Sequence, residues 1–135
     1  MSNLVIFDTS IFIDHLRTNR HRQRIEAVTG LIRTSSVVLA ELWRGATRPA
    51  ERTFLRVLQK NHPIITPTER HWLESGALLG KIRGGRGLAP EQLRDLHFDV
   101  LIALTARAHG ARLITSNRSD FELIRAYREF TLEIW

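Results

Sequence analysis

Short apolar runs alternate along this chain with longer stretches of helical periodicity, and the runs end on hydroxyl or acidic residues. Leu4–Phe7 is an unbroken apolar run, the mark of a strand buried on both faces. It stops at Asp8, Thr9 and Ser10, and Ile11–Leu16 continues as an amphipathic helix over about 10–17, capped by Thr9 or Ser10. Ile25–Thr29 reads as the end of a second helix closed by Gly30. Leu31–Thr34 is a second strand, followed by Ser35, Ser36 and a helix over Val37–Gly45 that carries Glu41. Pro49 opens a helix to about Asn61, with Phe54, Leu55 and Leu58 as its buried side. Pro63–Ile65 is a third strand. Thr66 and Glu69 stand at capping-box spacing, and Pro67 takes the first position of a helix to about Arg83. Gly84–Gly87 reads as a hinge. Pro90 starts a short helix that continues or restarts from Leu96 to His109, with Asp95 as a cap and Asp99 in the first turn. Ala111–Thr115 is a fourth strand. Ser119 and Glu122, again at capping-box spacing, place Asp120 at the start of a short helix, and Thr131–Trp135 is a last strand at the sheet edge.

Strands and helices in alternation predict an α/β fold: a three-layer α/β/α arrangement around a mainly parallel sheet of about 4–5 strands, one domain over residues 1–135. Ligands of such sheets bind beyond the carboxyl ends of the strands, where Asp8 stands. Hydrophobic content of 43% excludes a disordered chain, and the absence of cysteine excludes disulfides and thiolate metal sites. No apolar run approaches the ~20 residues of a membrane span. No basic segment followed by a long apolar stretch marks a signal peptide, so the expected location is the cytoplasm, away from membranes.

Charge narrows the partners. Lys+Arg is 20 against 14 Asp+Glu, a net charge of +6, and lysine occurs only at Lys60 and Lys81. Arginine presents a planar fork suited to phosphate, and a basic surface attracts nucleic acid; the same arginines also serve as ordinary solvated helix surface. Against this basic background, Asp8, Glu41, Asp99, Asn117 and Asp120 all fall where a parallel sheet would gather them at one edge. Carboxylates gathered in a cleft repel one another, and a hard divalent cation, Mg²⁺ or Mn²⁺, resolves that repulsion through oxygen ligands alone. Such ions activate water and stabilise phosphoryl displacement. Singly, each acid has a plainer role: Asp8 as a cap, Glu41 on an exposed helix face, Asp99 and Asp120 as first-turn acids that favour a helix dipole. His15, His97 and His109 have no clustered spacing and read as surface or helix-end residues.

Four stretches together resemble the PIN-domain ribonucleases, and specifically the VapC toxins of toxin–antitoxin pairs: Ile6–Ser10, Ser36–Leu42, Phe98–Ala103 and Leu113–Phe121. The resemblance implies a Mg²⁺- or Mn²⁺-dependent endoribonuclease that cuts structured RNA, a VapB-type antitoxin that covers the site, and a homodimer. Residue by residue it implies that Asp8 and Asp99 are the main metal-binding aspartates, that Glu41 binds metal or positions water, and that Thr9 and Thr115 hydrogen-bond the carboxylates. Many relatives have aspartate where this chain has Asn117, so the fourth metal position falls to Asn117 or Asp120. The expected antitoxin surface is the apolar side of the early helices and the site edge, with Phe12, Leu16 and Trp43 as contacts; Phe12 and Leu16 read equally well as core. Two other classes fit the same residues: a non-catalytic module that binds RNA or a partner, and a metal-dependent nuclease or phosphatase acting on DNA or small phosphate esters.

Overall fold

The structure, a computed structural model, describes residues 3–135. Its sheet contains β1 (Leu4–Phe7), β2 (Leu31–Ser35), β3 (Ile64–Ile65), β4 (Arg112–Thr115) and β5 (Leu132–Ile134). All pairings are parallel, in the order β3-β2-β1-β4-β5. β1 is central: Val5 lies opposite Ile32 on one side and Arg112 on the other. Its Val5, Ile6 and Phe7 are buried, as are Leu113 and Ile114 of β4. A strand enclosed on both faces needs no alternation of polar residues, which is why Leu4–Phe7 reads as a continuous apolar run.

Helices α1 (Thr9–Thr18), α2 (Arg22–Ala27), α3 (Ser36–Gly45), α4 (Pro49–Asn61), α5 (Glu69–Arg86), α6 (Pro90–Ala108) and α7 (Arg118–Tyr127) complete the three layers. Chain order runs outward from β1 to β3 on one side and from β4 to β5 on the other. The reversal at β1/β4 opens a crevice beyond their carboxyl ends, the usual ligand position in such sheets. No described helix is long and apolar enough to cross a membrane.

Several boundaries differ from the sequence reading. The cap of α1 is Asp8, not Thr9 or Ser10. Helix α2 stops at Ala27, and Gly30 serves another purpose: its φ is +125°, and a Cβ there would lie 2.6 Å from the Asn3 carbonyl oxygen. Close passage beside β1 requires glycine. Helix α5 is capped by Thr68 rather than Thr66: its Oγ1 accepts from His71 N (3.3 Å), and its own N donates to His71 Nδ1 (3.1 Å). The glycine-rich hinge is helix through Arg86, and Gly87, at φ 61°, donates to Arg83 O as a left-handed cap. Each interior glycine costs only ~1 kcal/mol, which burial of Leu78 and Ile82 along α5 offsets. Helix α6 runs unbroken because Leu96, Val100 and Leu104 form a buried stripe along one face, and from Val100 to Ala106 it is buried all round. Asp95 therefore lies inside the helix rather than capping it, and Asp99 lies near its middle. Ser119 is inside α7, whose cap is Asn117.

Candidate active site

Asp8 follows the last residue of β1 and is 3% exposed. Its two oxygens have opposite environments. Oδ2 accepts from Ser10 Oγ (2.8 Å), Thr115 Oγ1 (2.8 Å) and Ser10 N (3.4 Å). Oδ1 is buried with no hydrogen-bond partner. The hydroxyls are themselves held by backbone: Ser116 N donates to Ser10 Oγ (3.0 Å), and Asn117 N donates to Thr115 Oγ1 (2.9 Å). Two short chains, each N–H to hydroxyl to carboxylate, thus saturate Oδ2. A buried carboxylate oxygen left without a donor is costly unless something positive meets it. Burial pushes the Asp8 pKa up against the lowering effect of the Thr115 and Ser10 hydrogen bonds.

Glu41 is reached from the second strand. Ser35 caps α3, accepting from Val37 N (3.1 Å) and Val38 N (3.5 Å), and this sets the helix so that its second turn faces α1. There Thr9 Oγ1 donates to Glu41 Oε1 at 2.8 Å. Burial raises the Glu41 pKa, the Thr9 bond and the Arg44 charge lower it, and the charge of Asp8 raises it further.

Asp99 arrives from the flank of α6, not from a strand tip. Burial and then the charges of Asp8, Glu41 and Asp120 push its pKa up to about 9, and a hydrogen bond with Asp120 adds to the rise. Two carboxyl groups share a hydrogen bond only by keeping a proton between them. The two candidates for the fourth position touch each other: Asn117 Nδ2 donates to Asp120 Oδ2 at 3.1 Å. Asn117 lies at the tip of β4 and Asp120 one turn into α7, so the sequence alternatives are neighbours.

Asp8, Thr9, Glu41, Asp99 and Asn117 line one cleft of ≈ 480 Å³, together with Ser10, Arg44, Arg94, Asp95 and Phe98. Asp120 meets this set through Asp99 and Asn117. Sequence reasoning assigned no site role to Ser10, Arg44, Arg94 or Phe98. For Ser10 the signal was present, a second hydroxyl immediately after Asp8, but it reads equally as a cap. Arg44 carries its guanidinium 6.0 Å from the Phe98 ring centre, a contact between helices that spacing does not reveal. The histidines stay outside: His97 bonds Ser75 Oγ (3.1 Å), and His109 ends α6. Phe12, which the sequence left between partner contact and core, is core: it is 6% exposed and packs edge-on to Phe7. Leu16 and Trp43 are half-buried.

Among the described residues, no three carboxylate or imidazole groups already stand close enough to grip an ion. The donor set nevertheless suits a hard cation. It is all oxygen, its acids raise one another's pKa values, and Asp8 Oδ1 lacks any other partner.

The PIN domain family profile matches residues 5–127. A chain of the crystal structure of VapBC2 from Rickettsia felis bound to a promoter DNA fragment superposes with a TM-score of 0.71 at 23% identity, covering 98% of each chain. For DNA-bound VapBC from Salmonella typhimurium the TM-score is 0.70 at 23% identity, covering 100% of this chain and 99% of that one. A toxin–antitoxin complex from Klebsiella pneumoniae gives 0.65 at 29% identity, covering 87% and 89%. No curated protein sequence matches the chain.

Proposed function

Because the chain belongs to the PIN-domain family, a family of nucleases, we propose that it is a Mg²⁺- or Mn²⁺-dependent endoribonuclease, the toxin of a toxin–antitoxin pair. The observation that carries this reading is Asp8 Oδ1: a buried, unpartnered carboxylate oxygen at a cleft that also gathers Glu41 and the proton-sharing pair Asp99 and Asp120. Asp8, Glu41, Asp99 and Asp120 are the catalytic acids. Asp8 and Asp99 would hold the principal ion, with Glu41, Asp120 and the Asn117 carbonyl oxygen as further ligands, and Asn117 orients Asp120. When bound, the cation supplies charge stabilisation to the phosphoryl group and lowers the pKa of water.

The chain's own side chains do the rest. Thr9 occupies Glu41 Oε1 and so leaves Oε2 to take a proton from an attacking water. The raised pKa of Glu41 makes it a better base than an ordinary exposed glutamate. Thr115 and Ser10 keep Asp8 from rotating. Arg44 and Arg94, at the cleft wall, fit phosphates on either side of the scissile bond.

The antitoxin site in this reading is the groove beside Glu41 formed by Ile13, Leu16, Leu42, Ala46 and Leu55, rather than the buried Phe12. The protein acts in the cytoplasm as a homodimer and as one domain; exposed Trp72 and Leu73 on α5 offer apolar surface for the second copy, and sedimentation analysis reads the dimer.

The test is turnover of RNA, single-stranded DNA and nitrophenyl phosphate with Mg²⁺, with Mn²⁺ and with EDTA. The expected result is cleavage of RNA alone, lost in EDTA. Turnover of DNA or the small ester but not RNA would move the protein to another phosphoesterase class, and binding of RNA without cleavage would make it a non-catalytic module.

A further inference from the structure

Behind the cleft lies a second polar cluster that the proposed chemistry does not use. His21 is 3% exposed, an uncommon position for a histidine at the start of a helix. Asn19 ends α1 in the left-handed conformation at φ 58°, and this tight reversal carries His21 back under the tip of β4. There His21 Nε2 lies 3.1 Å from Asp14 Oδ2 and 3.2 Å from Ser116 Oγ, and Ser116 Oγ donates to Asp14 Oδ2 at 3.1 Å. Arg20 Nη2 adds an ion pair to the same oxygen at 2.9 Å. Trp135 packs against the imidazole, its ring centre 5.6 Å away and tilted 45°. Trp135 N donates to Thr115 O at 2.8 Å, so the end of β4 is gripped from both flanks.

Ser116 is the residue through which this cluster meets the site. Its hydroxyl belongs to Asp14 and His21, whereas its backbone N–H holds Ser10 Oγ, and Ser10 Oγ donates to Asp8 Oδ2. Both hydroxyls that hold Asp8 Oδ2 hang on this turn, Ser10 through Ser116 N and Thr115 through Asn117 N, so displacing the β4–α7 turn loosens Asp8 at both donors. We propose that Asp14, His21 and Ser116 form a brace of positioning residues that fixes the turn after β4 and thereby presents Asp8 Oδ1 to the cation. This rests on the nuclease reading for what Oδ1 meets, and on the hydrogen-bond geometry alone for the brace. Outer partners of this kind change metal affinity by ~10–100-fold when removed.

Four variants test it: Ser116→Ala, Asp14→Asn, His21→Phe (which keeps a ring against Trp135) and Ser116→Thr. Three quantities are read on the full chain: free Mn²⁺ by electron paramagnetic resonance without RNA, exchange of the Ser116 and Asn117 amide hydrogens without metal, and thermal melting. The expected outcome is ~10-fold or greater loss of Mn²⁺ affinity and faster exchange at both amides in the first three variants. Melting should stay cooperative, and Ser116→Thr should restore affinity. Unchanged Mn²⁺ affinity in Ser116→Ala and Asp14→Asn overturns the proposal, as does a loss that follows only the fraction unfolded. If the native protein binds no Mn²⁺, the nuclease reading fails. The brace is then decided by amide exchange alone, faster exchange in the variants supporting it and native exchange rates overturning it.

Discussion

Replacing Asp99 by asparagine should make the metal-free protein more stable while removing its cleavage activity. Unfolded, the Asp99 carboxyl titrates near 3.8; in the fold, burial and the charges of Asp8, Glu41 and Asp120 carry it to about 9. The folded protein therefore holds this proton over a range in which the unfolded chain has released it. The associated stability is fully present below pH 3.8 and is lost as pH rises through about 9. Each tenfold excess over the unfolded value costs ~1.4 kcal/mol, which sets a ceiling of ~4 kcal/mol at pH 7. Asp99 borders an open cleft, and solvent relaxation there reduces the figure to ~1–3 kcal/mol. Asparagine keeps the shape, carries no charge, and its amide donates to Asp120 without a borrowed proton. The assay is thermal unfolding of both proteins in EDTA at pH 5, 7 and 8.5. The variant should melt several degrees higher at pH 7, with a gap that widens toward pH 8.5 and narrows toward pH 5. Saturating Mn²⁺ should raise the native melting temperature far more than the variant's. A variant no more stable than the native protein at pH 8.5, or a gap indifferent to pH, refutes the reasoning that the acids are held together at a cost.

Asp8→Asn should retain a native melting curve and lose cleavage by ~100-fold or more in single-turnover assays, because it removes charge where charge is what binds the cation. Arg44→Ala and Arg94→Ala should each raise KM with kcat nearly unchanged, and should each reduce the salt dependence of RNA binding by about one phosphate contact. Gly30→Ala should destabilise by ~2–4 kcal/mol in urea unfolding, since a Cβ there meets the Asn3 carbonyl in a backbone conformation that side chains avoid.

Much of this architecture could be read from residues alone. Leu4–Phe7 declares itself because a buried parallel strand is apolar throughout, β4 shows itself by its buried pair Leu113 and Ile114, and the polar residues at the ends of both point to the crevice. Boundaries governed by tertiary packing were not legible. Gly84 and Gly85 favour a loop locally, and helix α5 absorbs them because its other side is buried. Asp95 and Asp99 have the local chemistry of helix starts, and the continuous stripe from Leu96 to Leu104 overrides it. For the site, the acids were legible as a set, but what distinguishes Asp8 from an ordinary cap is that one of its oxygens is saturated and the other is bare. That distinction depends on Ser10, Thr115 and Ser116 meeting across some hundred residues of chain, which no local pattern encodes. The buried position of His21 was hidden for the same reason: its neighbours are arginines, and the sequence around it reads as solvated surface.

The central claim is that the fold assembles distant acids into one oxygen-lined pocket for a hard cation. Crystals of the protein soaked in Mn²⁺, with data collected to give the anomalous signal of manganese, test it most directly. The expected result is an anomalous peak between Asp8 Oδ1 and the Asp99 carboxylate. A map with no peak there at saturating Mn²⁺, or with Mn²⁺ held elsewhere, contradicts it.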